Sequence, residues 1–359
     1  MTGTGAPAGG TPSAADLLAG PRGRRLCWEA VGWLAEVQTG RNPMWRAWWD
    51  VGAALAVLRG VLAGPGLAGL AAAGDIDLLV PLARSVDAAR YWQDPDDTDR
   101  VLAHPEVVDA LQPVADALAV ARAAAWWPAG MAPGAQAVVV PGTMLRPAPP
   151  HLAGAPTVLR RWSEEATSSR GGLWWSAPIW APAVDEAARL GSPLPQLACT
   201  TRRLAQLGAT GMLLCEDRDR GPDAWCWPVD VPAAAPSVEI AGPADWLALV
   251  DRHPLDVTAS RASSWAEATG IDCRWLVPDW SQLAAEVAGV HMTVAGYLAV
   301  SGRALGIEPG VATLVAGWSP DETHWLRDVV AVAGEPTRWV TGSPGSAERW
   351  RLAGDDGKP

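Results

Sequence analysis

Between residues 126 and 156 the chain reads WWPAGMAPGAQAVVVPGTMLRPAPPHLAGAP, and the spacing of its apolar residues differs on the two sides of this stretch. Upstream, from about residue 24 to 127, apolar residues recur at helical spacing, as in the stripe Val107, Leu111, Val114 and Leu118. Downstream they fall into short runs closed by turn residues: QAVVVPG, GLWWSAPIW, GMLLCED, AWCWPVDV, PSVEIAG, RWLVPDW and ATLVAGW. Runs of that kind predict strands. The change of period makes the chain α+β, an N-terminal helical domain followed by an α+β domain of short strands with interspersed helices. The division reads as a disordered tail at 1–20, helices at 21–130, the α+β domain at 136–342 and a tail at 343–359.

Local signals place the helix ends. Asp94 stands before Pro95 and two further acids, which suits the positive end of a helix, and Pro113 is expected to bend or restart the helix that carries the Val107 stripe. His104 before Pro105 reads as a second helix start. GPADWLALVDRHP has Pro243 in its first turn and must stop before Pro254, with His253 at the negative end. PDWSQLAAEVAGV carries the capping pair Asp279 and Gln282 and is expected to run to Gly289. Residues 51–74, VGAALAVLRGVLAGPGLAGLAAAG, come nearest to a membrane span, but Arg59, Pro65 and the glycines favour a packed helical hairpin. The small, polar first residues lack the basic start and apolar stretch of a signal peptide.

Composition narrows the function. With 49% hydrophobic residues the chain can bury a sizeable core, and with 22 Trp and no Phe the indole is expected to serve chiefly as the bulky core filler. A net charge of −11 argues against a nucleic-acid groove and against an anionic membrane surface, and so favours a small molecule or a protein partner. Cys27, Cys199, Cys215, Cys226 and Cys273 contain no C-x-x-C pair and are odd in number. Neither a disulfide framework nor a structural zinc site is expected, and free thiols fit a cytoplasmic setting. The five His residues form no H-x-x-x-H or H-E-x-x-H pair, so no metal site is expected.

Motifs for known chemistry are few. No G-x-S-x-G elbow, P-loop or G-x-G-x-x-G turn is present. LLCEDRDRGPDAW sets Glu216, Asp217, Asp219 and Asp223 after an apolar run, where carboxylates could hold a hard cation, but the interleaved arginines and Gly221-Pro222 favour an exposed hairpin turn. AGWSPDETHWL offers Asp321 and Glu322 as candidate catalytic acids; Ser319, Pro320 and Glu322 also form a capping box, which predicts a helix start. His291, within GVHMTVAGYL, reads by default as a hydrogen-bonded core histidine.

The order VVVPGTMLR, GGLWWSAP, SVEIAGPADWLALV, PDWSQLAAEVAGVHMTVAGYL and AGWSPDETHWL, over residues 137–327, resembles a set of uncharacterised proteins of GC-rich bacteria and phages. Those proteins carry a G-L-W-x-S strand, a G-V-H-L-T segment and a W-D-x-E-S-T-x-W ending, an order similar to ADP-ribosyltransferase-like folds. On that ending Trp318, Thr323 and Trp325 match, the acid falls at Asp321, and Glu322 takes the Ser position. The resemblance implies NAD as a substrate, with Asp321 or Glu322 orienting the ribose. Trp174 or Trp175 would stack on nicotinamide, Ser176 would bond the ribose, and His291 and Thr143 would complete the site. A carboxylate there would stabilise the positive charge that builds on the sugar as the nicotinamide bond breaks. ADP-ribosyl transfer or NAD hydrolysis would follow. The alternative is a non-enzymatic, Trp-rich interaction protein. Only an enzyme needs Trp174, Ser176, His291 and Asp321 or Glu322 in one cleft.

Overall fold

A computed structural model describes residues 12–44, 47–63, 66–74, 76–142, 145–169, 171–180, 194–205, 207–217, 221, 223–341 and 350–354. Seven α-helices among these residues precede the first strand: Ala14–Ala19, Pro21–Thr39, Val51–Leu62, Gly66–Ala71, Leu79–Asp87, Asp97–Leu102 and Pro105–Ala119. The helix expected to start at Asp94 and Pro95 starts two residues later, at Asp97. Asp50 and Asp96 accept the exposed amides of Ala53 and Asp99, His104 stands at the N-cap of the Pro105 helix without a side-chain cap bond, and that helix runs through Pro113 to Ala119 and is not restarted by it. The tail expected at 1–20 gives way at Ser13, whose hydroxyl and the Asp16 carboxylate form a reciprocal capping box, so that Leu17 and Leu18 are buried. Residues 51–74 contain the two helices of the expected hairpin, and no helix among the described residues is long and apolar enough to cross a membrane.

The sheet-rich half is built from β1 (Gln136–Pro141), β2 (Ala198–Arg202), β3 (Asp223–Asp230), β4 (Ser237–Ile240), β5 (Pro254–Asp256), β6 (Arg274–Pro278), β7 (Gly289–Met292), β8 (Leu305–Glu308), β9 (Val311–Thr313), β10 (Glu322–Trp325), β11 (Ala331–Val332), β12 (Thr337–Val340) and β13 (Arg351–Leu352). One sheet runs β13-β12-β3-β1-β2-β10-β7-β4, with β11 beside β3, and a second runs β5-β6-β9-β8. Only the β4–β7 and β6–β9 pairs of described strands are parallel. The fold is α+β.

Five expectations are corrected. GLWWSAPIW is not a strand, because its backbone is taken by partners outside any sheet: Trp265 Nε1 donates to Trp174 O, Trp280 Nε1 to Ser176 O, and Ser176 N–H donates to Ala316 O. GMLLCED begins with a single helical turn, Thr210–Leu213. The helix from Trp280 stops at Leu283, although Asp279 caps it as expected, and Gly289 opens β7 instead of closing a helix. SPDETHWL enters strand β10: Ser319 N–H does donate to the Glu322 carboxylate, at 3.0 Å, but pairing to β2 and β7 claims the backbone beyond it. The tail expected at 343–359 includes buried Trp350 and strand β13.

One buried apolar cluster runs from Leu17, Leu26 and Leu111 of the helices to Trp246, Trp280 and Tyr297 beside the sheets; a smaller one, around Val138, Trp227 and Trp325, covers the opposite face of the large sheet. Nine tryptophans among the described residues are essentially fully buried. Trp162, Trp280, Trp246 and Trp318 touch through ring centroids 5.6–6.4 Å apart, the role Phe would otherwise fill.

Candidate functional site

Where the first helices meet the second half, a cleft of about 390 Å³ is lined by Arg22, Arg24, Arg90, Arg100 and Arg303 against only two acids, Asp96 and Asp99. Three of these cations have carboxylate partners: Arg22 is paired with Asp99, Arg100 with Asp97, and Arg90 with Asp217 at 2.9 Å. The other two do not. Arg24 donates from Nη1 to the carbonyls of Leu18 and Ala19, and its buried Nε has no partner among the described residues. Arg303 makes no ion pair among those residues. Burial, together with the like charges of Arg22 and Arg303, holds the Arg24 guanidinium below its ordinary pKa despite Asp99. In a chain of net charge −11, this is a local excess of positive charge facing a cavity.

A half-buried carboxyl lies behind the cleft wall. Glu216 Oε1 accepts from the Tyr297 hydroxyl at 2.8 Å and the Ser301 hydroxyl at 3.0 Å, and Oε2 accepts from the Gly317 amide at 2.9 Å. Tyr297 and Ser301 stand one turn apart on and just after the Val294–Val300 helix, whose start is capped by Thr293. Ser301 Oγ is 2.9 Å from the Tyr91 hydroxyl, and since its single proton goes to Glu216, Tyr91 is the donor to it. Tyr91 also lines the cleft, its ring held against Gly302, where a Cβ would lie 2.3 Å from Tyr91 Cε1. Burial raises the Glu216 carboxyl to about 7, against the opposing pull of its hydrogen bonds and of Arg22. The row Glu216, Ser301, Tyr91 therefore connects a group able to hold or lose a proton near neutrality to an arginine-lined cavity.

The exposed-turn expectation fails at Glu216, which is half-buried by this network, and at Asp223, which is buried on β3 and paired with Arg338; Asp217 is exposed, and Asp219 lies outside the described residues. Tyr91, Arg24, Tyr297, Ser301 and Arg303 carried no motif. One signal was available: the chain has 2 Tyr and no Phe, and both tyrosines end on this network.

The residues proposed from the sequence divide between places. His291 and Asp321 come together: parallel pairing sets Glu239 of β4 beside His291 of β7, Glu239 contacts His291 Nδ1, and Asp321 Oδ1 lies 3.4 Å from Nε2. Burial alone would lower the imidazole, but its contacts with Asp321 and Glu239 raise it to about 9. Asp321, buried in a left-handed conformation at φ 57°, also accepts from Arg202 Nε at 3.2 Å, the Arg202 amide at 3.2 Å and Thr210 Oγ1 at 2.9 Å. Its oxygens are enclosed. Glu322 faces the other side of the sheet, toward Cys199 and His324. Ser176 donates its hydroxyl to Ala316 O at 3.2 Å and accepts from Ala316 N–H, and Trp174 packs edge-on against Trp175 and tilted against Trp92. Thr143 lies outside the described residues. Compared with known proteins, the chain matches no family model, no curated protein and no solved structure.

Proposed function

We propose that this chain binds a small phosphate-bearing molecule in the arginine-lined cleft and that Glu216 exchanges a proton with the bound molecule through Ser301 and Tyr91. The observation that carries the reading is the pair Arg24 and Arg303, two cations turned to one cavity with no carboxylate of their own. Guanidinium groups in such a setting suit phosphate oxygens, which accept two N–H bonds at once. A cleft of about 390 Å³ fits a phosphorylated metabolite or the pyrophosphate portion of a dinucleotide. NAD, the substrate implied by the resemblance to ADP-ribosyltransferase-like folds, falls in that class, with its phosphates at these arginines instead of its ribose at Asp321. The Trp-rich interaction reading is weaker, since Trp48 and Trp49 are the strongly exposed tryptophans among the described residues.

The test is titration of the full chain with inorganic phosphate, pyrophosphate and NAD, followed by calorimetry and thermal shift, with Arg303→Met as the variant. Pyrophosphate is expected to bind and to weaken at least tenfold in Arg303→Met, with a steep dependence on salt. The absence of binding by all three at millimolar concentration, or equal binding by the variant, would overturn the reading. NAD turnover measured alongside distinguishes a binding protein from an enzyme.

A further inference from the structure

On the face of the sheet opposite His291, antiparallel pairing of β2 with β10 sets Cys199 directly across from His324, and the two-residue period of β10 puts Glu322 beside His324. Cys199 Sγ, a Glu322 carboxylate oxygen and a His324 ring nitrogen all lie within 4.8 Å of one another. Cys199 Sγ is 2.9 Å from Glu322 Oε1, and His324 Nε2 is 3.3 Å from Glu322 Oε2. Two donors bound to one zinc ion at about 2.0–2.3 Å in tetrahedral geometry are about 3.3–3.7 Å apart, so the three side chains need only small rotations to share an ion.

Two independent features point to a ligand here. His324 is buried, 3% exposed, and its Nε2 is turned into the cluster without a hydrogen-bond partner among the described residues. The side chains are also held in place before any ion arrives: Ser319 N–H donates to Glu322 Oε2 at 3.0 Å, and the His324 ring stands edge-on to Trp318 with centroids 4.6 Å apart. Such outer contacts orient the donors in metal sites.

We infer that Cys199, Glu322 and His324 form a site for a borderline divalent transition-metal ion, zinc in particular. Thiolate, imidazole and carboxylate together select such an ion over magnesium or calcium, and three protein donors leave a fourth position for water. On binding, the Cys199 thiol gives its proton to solvent as the metal–sulfur bond forms, Glu322 binds as the carboxylate, and His324 binds as the neutral ring. None of the three donors lines the arginine cleft, so the two can be tested separately, although Ser319, whose amide holds Glu322, also accepts from the Glu216 amide at 3.4 Å.

The experiment uses the purified full chain with Co²⁺ as a spectroscopic probe and Zn²⁺ as competitor. One equivalent of Co²⁺ is expected to give an intense thiolate-to-metal charge-transfer band with tetrahedral d–d bands, which Zn²⁺ bleaches. Cys199→Ala should abolish the charge-transfer band, whereas Cys273→Ala, which alters the other partly exposed cysteine, should leave it. Alkylation of the unmodified chain gives a readout that needs no variant: Zn²⁺ should slow modification of Cys199 at least tenfold and leave Cys273 unchanged. Absence of a charge-transfer band together with equal Cys199 alkylation with and without Zn²⁺ would overturn the inference, as would a band that survives in folded Cys199→Ala.

Discussion

Glu216→Gln isolates the carboxyl behind the cleft. The wild-type group is an ordinary acid at 4.5 in the unfolded chain and is raised to about 7 when folded. At about 1.4 kcal/mol per pH unit, the folded chain binds that proton about 3 kcal/mol more tightly. Because the folded value is the higher one, the stability from this group is fully present below 4.5 and is lost as pH rises through 7. About 2 of those 3 kcal/mol fall between pH 5.5 and 8.5. Gln has no proton to lose, so its stability is free of this decline.

The substitution has a pH-independent cost as well. A Gln carbonyl can accept from Tyr297 and Ser301, but its NH₂ then faces the Gly317 amide at the 2.9 Å position where Oε2 stood, donor against donor. That mismatch costs about 1–3 kcal/mol at every pH. The decisive quantity is therefore the difference between the two pH values. Urea unfolding of both proteins at pH 5.5 and 8.5 should show Glu216→Gln gaining about 2 kcal/mol on the wild type as pH rises, with unchanged m-values. Parallel stability curves would refute the account of Glu216 as a neutral-range acid, and with it the proton exchange proposed for the cleft.

Further outcomes follow from the same contacts. His291→Gln should be most costly below pH 6.5 and progressively less so as pH rises through about 9, because the raised imidazole stabilises only while charged; urea unfolding at pH 6.5 and 9.5 reads this. Asp99→Asn leaves buried Arg22 without its carboxylate and takes one from Arg25, so it should destabilise by about 3–5 kcal/mol in urea unfolding at pH 7. Gly302→Ala places a Cβ at φ 70° and 2.3 Å from Tyr91 Cε1; it should destabilise by about 1–3 kcal/mol, by thermal unfolding, and weaken pyrophosphate binding by displacing the cleft wall.

What could be read from the sequence was what neighbouring residues decide. Pro243 opening a helix, Asp279 capping one and the runs that became β1, β3, β4 and β6 depend on backbone preferences within a few positions. GLWWSAPIW has the composition of a strand, yet Trp265 and Trp280, about 90 to 105 positions away, take its carbonyls by indole hydrogen bonds, and composition carries no trace of that. The cleft was hidden for the same reason: Tyr91 and Ser301 are 210 positions apart, and Arg24 and Arg303 meet only when the first helices dock. His291 was placed correctly as a hydrogen-bonded buried histidine, but its partner Glu239 depends on parallel pairing of β4 with β7, a long-range choice.

Asp321 and Glu322 show how one local pattern can serve two distant sets of partners. The capping-box sequence does form its Glu322-to-Ser319 bond, the step that would ordinarily begin a helix. A helix would then have carried both acids into its first turn, near one another and near solvent. Instead Asp321 takes a left-handed conformation and its amide donates to Met292 O at 2.8 Å, which turns the chain into the gap between β2 and β7. From that point the strand period separates the acids: Asp321 meets Arg202 and His291 on one face, and Glu322 meets Cys199 and His324 on the other. Asp321 is buried and Glu322 nearly so, and each has its own cation or donors, so neither face carries an uncompensated charge. Asp tolerates the left-handed region better than most non-glycine residues. A β-branched residue at 321 would oppose the turn and also leave Arg202 and His291 without their shared carboxylate, so the backbone conformation and the charge network impose the same choice of residue.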